Sequence, residues 1–184
     1  MLTHHFFEIA MHRFSILPAL VLVAAYGCAP QTQEPTADGT PYVLAASQVE
    51  AGRYLIVVAG CNDCHTDGYL QSEGQIPEAD WLAGSGLGWR GPWGTTYPSN
   101  LRLTAQTLTE EQWVQTLHTR KALPPMPWMN VNQMSAQDAS AIYQYIRSLG
   151  ATGEPAPMAV PPDQEPLTPY LLLEPQNLPP PPSN

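Results

Sequence analysis

Cys61-Asn62-Asp63-Cys64-His65 brings two thiols and an imidazole together at a spacing that suits one chemistry well. Thiols three residues apart can each bond one vinyl group of a porphyrin, with the adjacent imidazole beneath the iron. C-x-x-C-H is the haem-attachment signature. Two other uses of paired cysteines compete with this. A thioredoxin-like dithiol belongs in a βαβ setting, and a structural zinc needs further soft ligands. The sequence around Cys61 offers neither a βαβ pattern nor a second cysteine pair. One covalently held haem is therefore the expected cofactor, with His65 on one side of the iron.

The other side needs a second ligand. Pro124-Pro125-Met126-Pro127 presents Met126 on a loop stiffened by its prolines. A soft sulfur suits iron that stays six-coordinate in both oxidation states. Met129 and Met134 follow as candidates in that order. His118 reads as an ordinary, partly buried histidine, and a second imidazole on the iron would lower its potential. For any of these methionines the competing role is filling a gap in a core.

Three helices are expected to position these groups. The first begins at Ser47 with the capping box Ser47-x-x-Glu50 and turns Ala51, Tyr54, Leu55, Val58 and Ala59 inward. Gly60 then releases the chain into the C-x-x-C-H turn. The second begins at Thr109, boxed to Gln112, and buries Trp113, Val114 and Leu117. The third runs from Ser135, with Asp138 in its cap, to Leu149 and buries Ala139, Ile142, Tyr143 and Ile146, with Gly150 as its stop. Residues 66–100 are rich in Gly, Trp and Pro and read as an irregular loop around the cofactor's edge. Gly84-Ser85-Gly86-Leu87-Gly88 has neither a preceding strand nor a Walker lysine, so it is not a nucleotide loop. The fold class is all-α.

The third cysteine, Cys28, ends a segment laid out as a secretory signal. His12 and Arg13 precede an uncharged stretch from Phe14 to Tyr26, which closes on Ala25-Tyr26-Gly27-Cys28. The stretch is too short to span a bilayer. Its ending resembles a bacterial lipobox, in which the cysteine takes a diacylglycerol, although Ala25 stands where Leu or Val is commoner. The expected organisation is a signal at 1–27, a polar tether at 28–46, a folded domain at 47–150 and a Pro-rich tail at 151–184. The tail has 11 prolines between Gly150 and Asn184. A packed strap, a disordered tail and a partner-binding arm are all open for it, the strap being preferred, with Tyr170-Leu171-Leu172-Leu173 the segment able to dock. A formal net charge of −9 excludes a nucleic-acid partner, which would need a basic face, and suits a basic redox partner as well as simple solubility.

Taken in order, these segments resemble a class I cytochrome c, and in particular the single-haem modules in cytochrome subunits of periplasmic dehydrogenases. The resemblance covers about residues 47–150. It rests on Gly52-Arg53-Tyr54-Leu55 before Cys61-Asn62-Asp63-Cys64-His65-Thr66, on Gly94-Thr95-Thr96-Tyr97-Pro98-Ser99-Asn100-Leu101, and on Leu108-Thr109-Glu110-Glu111-Gln112-Trp113. Pro125-Met126-Pro127 and Asp138 to Ile146 complete it. It implies three main helices around one haem, with the first and last crossing where Gly52 permits close approach and Tyr145 packs across. It also implies Tyr97, Asn100 and Trp113 in the haem pocket. Trp81, Trp89, Arg90 and Trp93 have no assigned counterpart; Arg90 is either a propionate partner or a solvated arginine.

The expected function is a lipid-anchored, single-haem electron carrier on the periplasmic side, not itself an enzyme. Its donor would be a dehydrogenase and its acceptor an oxidase or another cytochrome. Ala29 after the lipidated Cys28 leans toward the outer membrane. The alternatives are a haem-based gas sensor and a haem subunit of an oxidoreductase complex.

Overall fold

A computed structural model of the chain describes residues 39–178. The signal, Cys28 and most of the tether lie outside the described residues. Among the described residues six helices carry the fold: α1 Gln48–Val58, α2 Cys61–His65, α3 Leu101–Thr107, α4 Glu110–Thr119, α5 Trp128–Val131 and α6 Ala136–Leu149. Three short strands, β1 Gly88–Gly91, β2 Gly94–Thr96 and β3 Tyr170–Leu172, form a sheet in the order β2-β1-β3. Among the described residues, no helix is long and apolar enough to cross a membrane.

The capping residues decide where the long helices start. Ser47 accepts from the Glu50 amide, Ser135 from the Asp138 amide, and Thr109 and Gln112 form a reciprocal capping box. Each supplies an oxygen to an amide that the first turn leaves unpaired. Asp138 has a second task, since its carboxylate accepts from the Val43 amide at 2.8 Å and ties the incoming segment to α6.

The largest packing contact is the crossing of α1 with α6. A Cβ on Gly52 would lie 2.0 Å from the Ala141 carbonyl oxygen and 2.7 Å from Tyr145 Cβ, so the two backbones touch there. Tyr145 is buried across the crossing, and its hydroxyl donates to Glu78, which is also paired with Arg53. Gly52→Ala should therefore force the helices apart and cost about 3 kcal/mol, at the upper end of ordinary overpacking. Urea denaturation of the holoprotein measures it, and a loss below the scatter of surface substitutions would show that the crossing relaxes freely.

The inward face of α1 differs from the sequence expectation. Ala51, Gly52, Leu55 and Ile56 are buried, whereas Tyr54 and Val58 are half exposed and Ala59 lies outside. The cause is Gly52: the closest contact of the helix is made by a residue with no side chain, so hydropathy centres the stripe one position too far round. α4 and α6 bury the expected faces, with Val114 and Tyr143 only partly covered, Ala141 added to the core and Tyr145 at the crossing as expected.

Residues 66–100 are more ordered than an irregular loop. They contain a 3₁₀ turn at Glu78–Asp80 and the β1–β2 hairpin, paired Trp89 with Thr96 and Gly91 with Gly94. Strands of three or four residues rich in glycine show no period-2 alternation for the sequence to reveal. β3 adds parallel to β1, with Leu171 opposite Trp89. The Pro-rich segment through residue 173 is thus a strap held against the domain, and the Tyr170-Leu171-Leu172 run is the part that docks as a strand.

Candidate functional site

Cys61, Cys64 and His65 stand together on α2, a helix barely longer than one turn. Gly60 precedes it with φ of +67°, the left-handed conformation that lets the chain turn sharply out of α1. Positions three apart share a helix face, so both thiols face one way. No disulfide joins them. Burial, with Asp63 adding to it, pushes the Cys61 thiol up to about 11 and raises that of Cys64 in the same direction. At neutral pH both are held as thiols.

Behind this turn lies a buried polar frame. The Thr66 hydroxyl donates to the Asn62 side-chain oxygen at 2.7 Å and accepts from the Leu82 amide at 2.8 Å. The Gly84 amide donates to the His65 carbonyl at 2.8 Å, and the Leu101 amide to the Leu82 carbonyl at 3.0 Å. These bonds fix α2 against the segment leading to α3. His65 itself is 7 % exposed, and its Nδ1 is 2.8 Å from the Ser99 carbonyl oxygen. A carbonyl can only accept, so Nδ1 carries the proton and Nε2 keeps its lone pair. Burial holds the imidazole below its usual pKa, partly offset by that carbonyl, and the ring is neutral as a metal ligand must be.

The candidates for the opposing ligand separate by burial. Met126 and Met134 pack against the core, while Met129 is 72 % exposed. His118, in the last turn of α4, has its Nε2 3.0 Å from the Met134 carbonyl and is engaged there. The Pro124–Pro125 bond ahead of Met126 is cis.

The three residues carried over from the resemblance have protein partners. Trp113 is in the core and donates its indole N–H to the Ala139 carbonyl at 3.1 Å, tying α4 to α6. Asn100 caps α3 by accepting from Leu103, and its amide donates to the Thr152 and Glu154 carbonyls of the strap. The Tyr97 hydroxyl bonds Thr168, also in the strap, at 2.7 Å. Arg90 does the same work. It donates to Thr95 and to the Gln164 carbonyl, pairs with Glu165 at 3.3 Å and lies over the Tyr170 ring.

Sequence reasoning missed several residues. Ser99 orients His65 through a backbone oxygen, which no side-chain pattern announces. Arg102 is 4 % exposed and donates to the carbonyls of Gly150, Leu149 and Ala79, closing the C-terminal end of α6. Trp93 and Trp128 each bury an indole N–H with no acceptor among the described residues. The thiols on one face of α2 and a neutral imidazole with its Nε2 uncommitted fit a covalently attached porphyrin carrying iron.

The model of one protein family, described as Cytochrome c, matches residues 49–150, more than half of the chain. No curated protein and no solved structure gives a significant match.

Proposed function

Because the chain belongs to the cytochrome c family, we propose that it is a single-haem electron carrier, fixed by a lipid on Cys28 to the periplasmic side of a membrane. The family carries covalently attached haem c and transfers electrons. When bound, the group supplies one-electron ferrous–ferric chemistry. Cys61 and Cys64 would hold it through thioethers, and His65 would ligate the iron through Nε2.

We take Met126 as the opposing ligand. Its partial burial and its stiff proline setting support this over Met129, which faces water. Two ligands that remain in place through a redox cycle leave little to reorganise, and sulfur with burial favours the ferrous state. The acidic surface suits a basic partner. A dehydrogenase-type donor and an oxidase or another cytochrome as acceptor fit a carrier confined to a membrane surface, the outer membrane by the sense of Ala29. The tether gives it reach.

The observation that carries the reading is the His65 ring, held by Ser99 with its second nitrogen uncommitted. Redox titration of the full holoprotein should give a single one-electron wave with a positive midpoint, and carbon monoxide should leave the ferrous spectrum unchanged. A strongly negative midpoint would overturn methionine ligation. A large carbon monoxide shift would favour a gas sensor instead.

Anchoring has its own test. Cys28→Ser should move the protein from the membrane to the soluble fraction with its absorbance intact. Retention in the membrane would remove the lipid from the proposal.

A further inference from the structure

The strap grips the β1–β2 hairpin from both edges. β3 pairs with β1, and the Leu173 amide donates to the Arg90 carbonyl at 2.6 Å. On the other edge Thr95 and Val160 exchange two backbone hydrogen bonds, at 2.7 and 2.9 Å. Contact there is so close that a Cβ on Gly94, whose φ is +98°, would lie 2.3 Å from the Val160 carbonyl oxygen. Arg90 staples the hairpin to Gln164 and Glu165. Neighbouring strand residues point to opposite faces. Thr95 is wholly buried toward the strap and accepts from Arg90, whereas Thr96 reaches the other way.

The Thr96 hydroxyl lies 2.6 Å from the Pro124 carbonyl oxygen and 3.4 Å from that of Trp89. It has one proton to give, and the shorter contact takes it. Pro124 stands two residues before Met126. Proline at 124, 125 and 127 removes local donors, and Pro124 and Pro125 stand in a turn. The Thr96 hydroxyl thus ties the approach to Met126 to the hairpin.

We propose that the C-terminal strap is the positioning device for the sulfur ligand: by clamping the hairpin it sets Thr96, and Thr96 holds the Met126 loop through the Pro124 carbonyl. This rests on the reading of Met126 as the axial ligand. Ordering a loop in advance removes an entropic cost that each return of the sulfur to iron would otherwise meet. The effect should be largest in ferric protein, where a soft ligand is held least firmly.

The test uses the full-length ferric holoprotein with Thr96→Val, Thr96→Ser, Arg90→Ala and Met126→Ala. Added imidazole competes with the sulfur, so its apparent affinity and the loss of the sulfur-to-iron charge-transfer band report how firmly the loop is held. Thr96→Val should raise imidazole affinity roughly three- to tenfold, the worth of one hydrogen bond. Thr96→Ser should match the parent, and Arg90→Ala should move in the same direction as Thr96→Val. Thr96→Val at parental affinity, with Met126→Ala altered, would overturn the clamp and leave the ligand reading standing. Arg90→Ala without effect would remove the strap from the device. A Met126→Ala protein with unchanged band and affinity would overturn both.

Discussion

Replacing Cys61 and Cys64 together by alanine is expected to abolish covalent haem in protein matured by a competent bacterial host. Both thiols belong to one short helix, share its face and are un-ionised at neutral pH. No other cysteine among the described residues could replace them. Without the thioethers, haem would be held by His65 and packing alone and would exchange with solvent. Denaturing mass spectrometry decides the matter: the parent should carry the mass of one haem and the double variant none. The helical frame should survive partly, because Asn62, Thr66 and Leu82 bind one another without involving either thiol. A double variant that keeps the added mass would refute covalent attachment at these cysteines.

Met126→Ala should have the second largest effect. Covalent haem should remain, since the thiols and His65 are untouched, but the iron should lose its sulfur. The midpoint potential should then fall on the order of a hundred millivolts or more, within the roughly 0.8 V that axial ligands span. Ferrous protein should also gain a carbon monoxide spectrum that the parent lacks. Potentiometric titration alongside Met129→Ala is the check, and Met129→Ala should resemble the parent. If the two variants exchange behaviour, the ligand is Met129, despite its exposed position.

Much of the site was legible because its signals are local. C-x-x-C-H announces itself within five residues, and Ser47, Thr109 and Ser135 mark helix starts through side chains that sit where the free amides are. What the sequence concealed acts through the backbone or over long separations. The Ser99 carbonyl that orients His65 has no side-chain signature, and Arg102 looks like a surface arginine until α6 ends above it. Gly52 was legible through the resemblance, which placed it at the crossing, but not through hydropathy. Its lack of a side chain makes the tightest crossing in the fold, yet a hydropathy pattern gives it little weight.

The strap is a third instance. Composition left three fates open for a Pro-rich tail, and the deciding partners are far away in sequence: Asn100 for Thr152, Arg90 for Gln164, Tyr97 for Thr168. Prolines disfavour helix but tolerate extended chain. A segment that cannot pair with itself is well suited to lie along someone else's backbone.

Occupying both rims of a short ribbon has a colloidal consequence as well. A bare strand rim displays unpaired amides and carbonyls, a template on which a second molecule can add its own strand and seed aggregation. Here β3 covers one rim and Val160 part of the other, so the rim left bare is that of β3, only three residues long, and short edges give a neighbour little to zip onto.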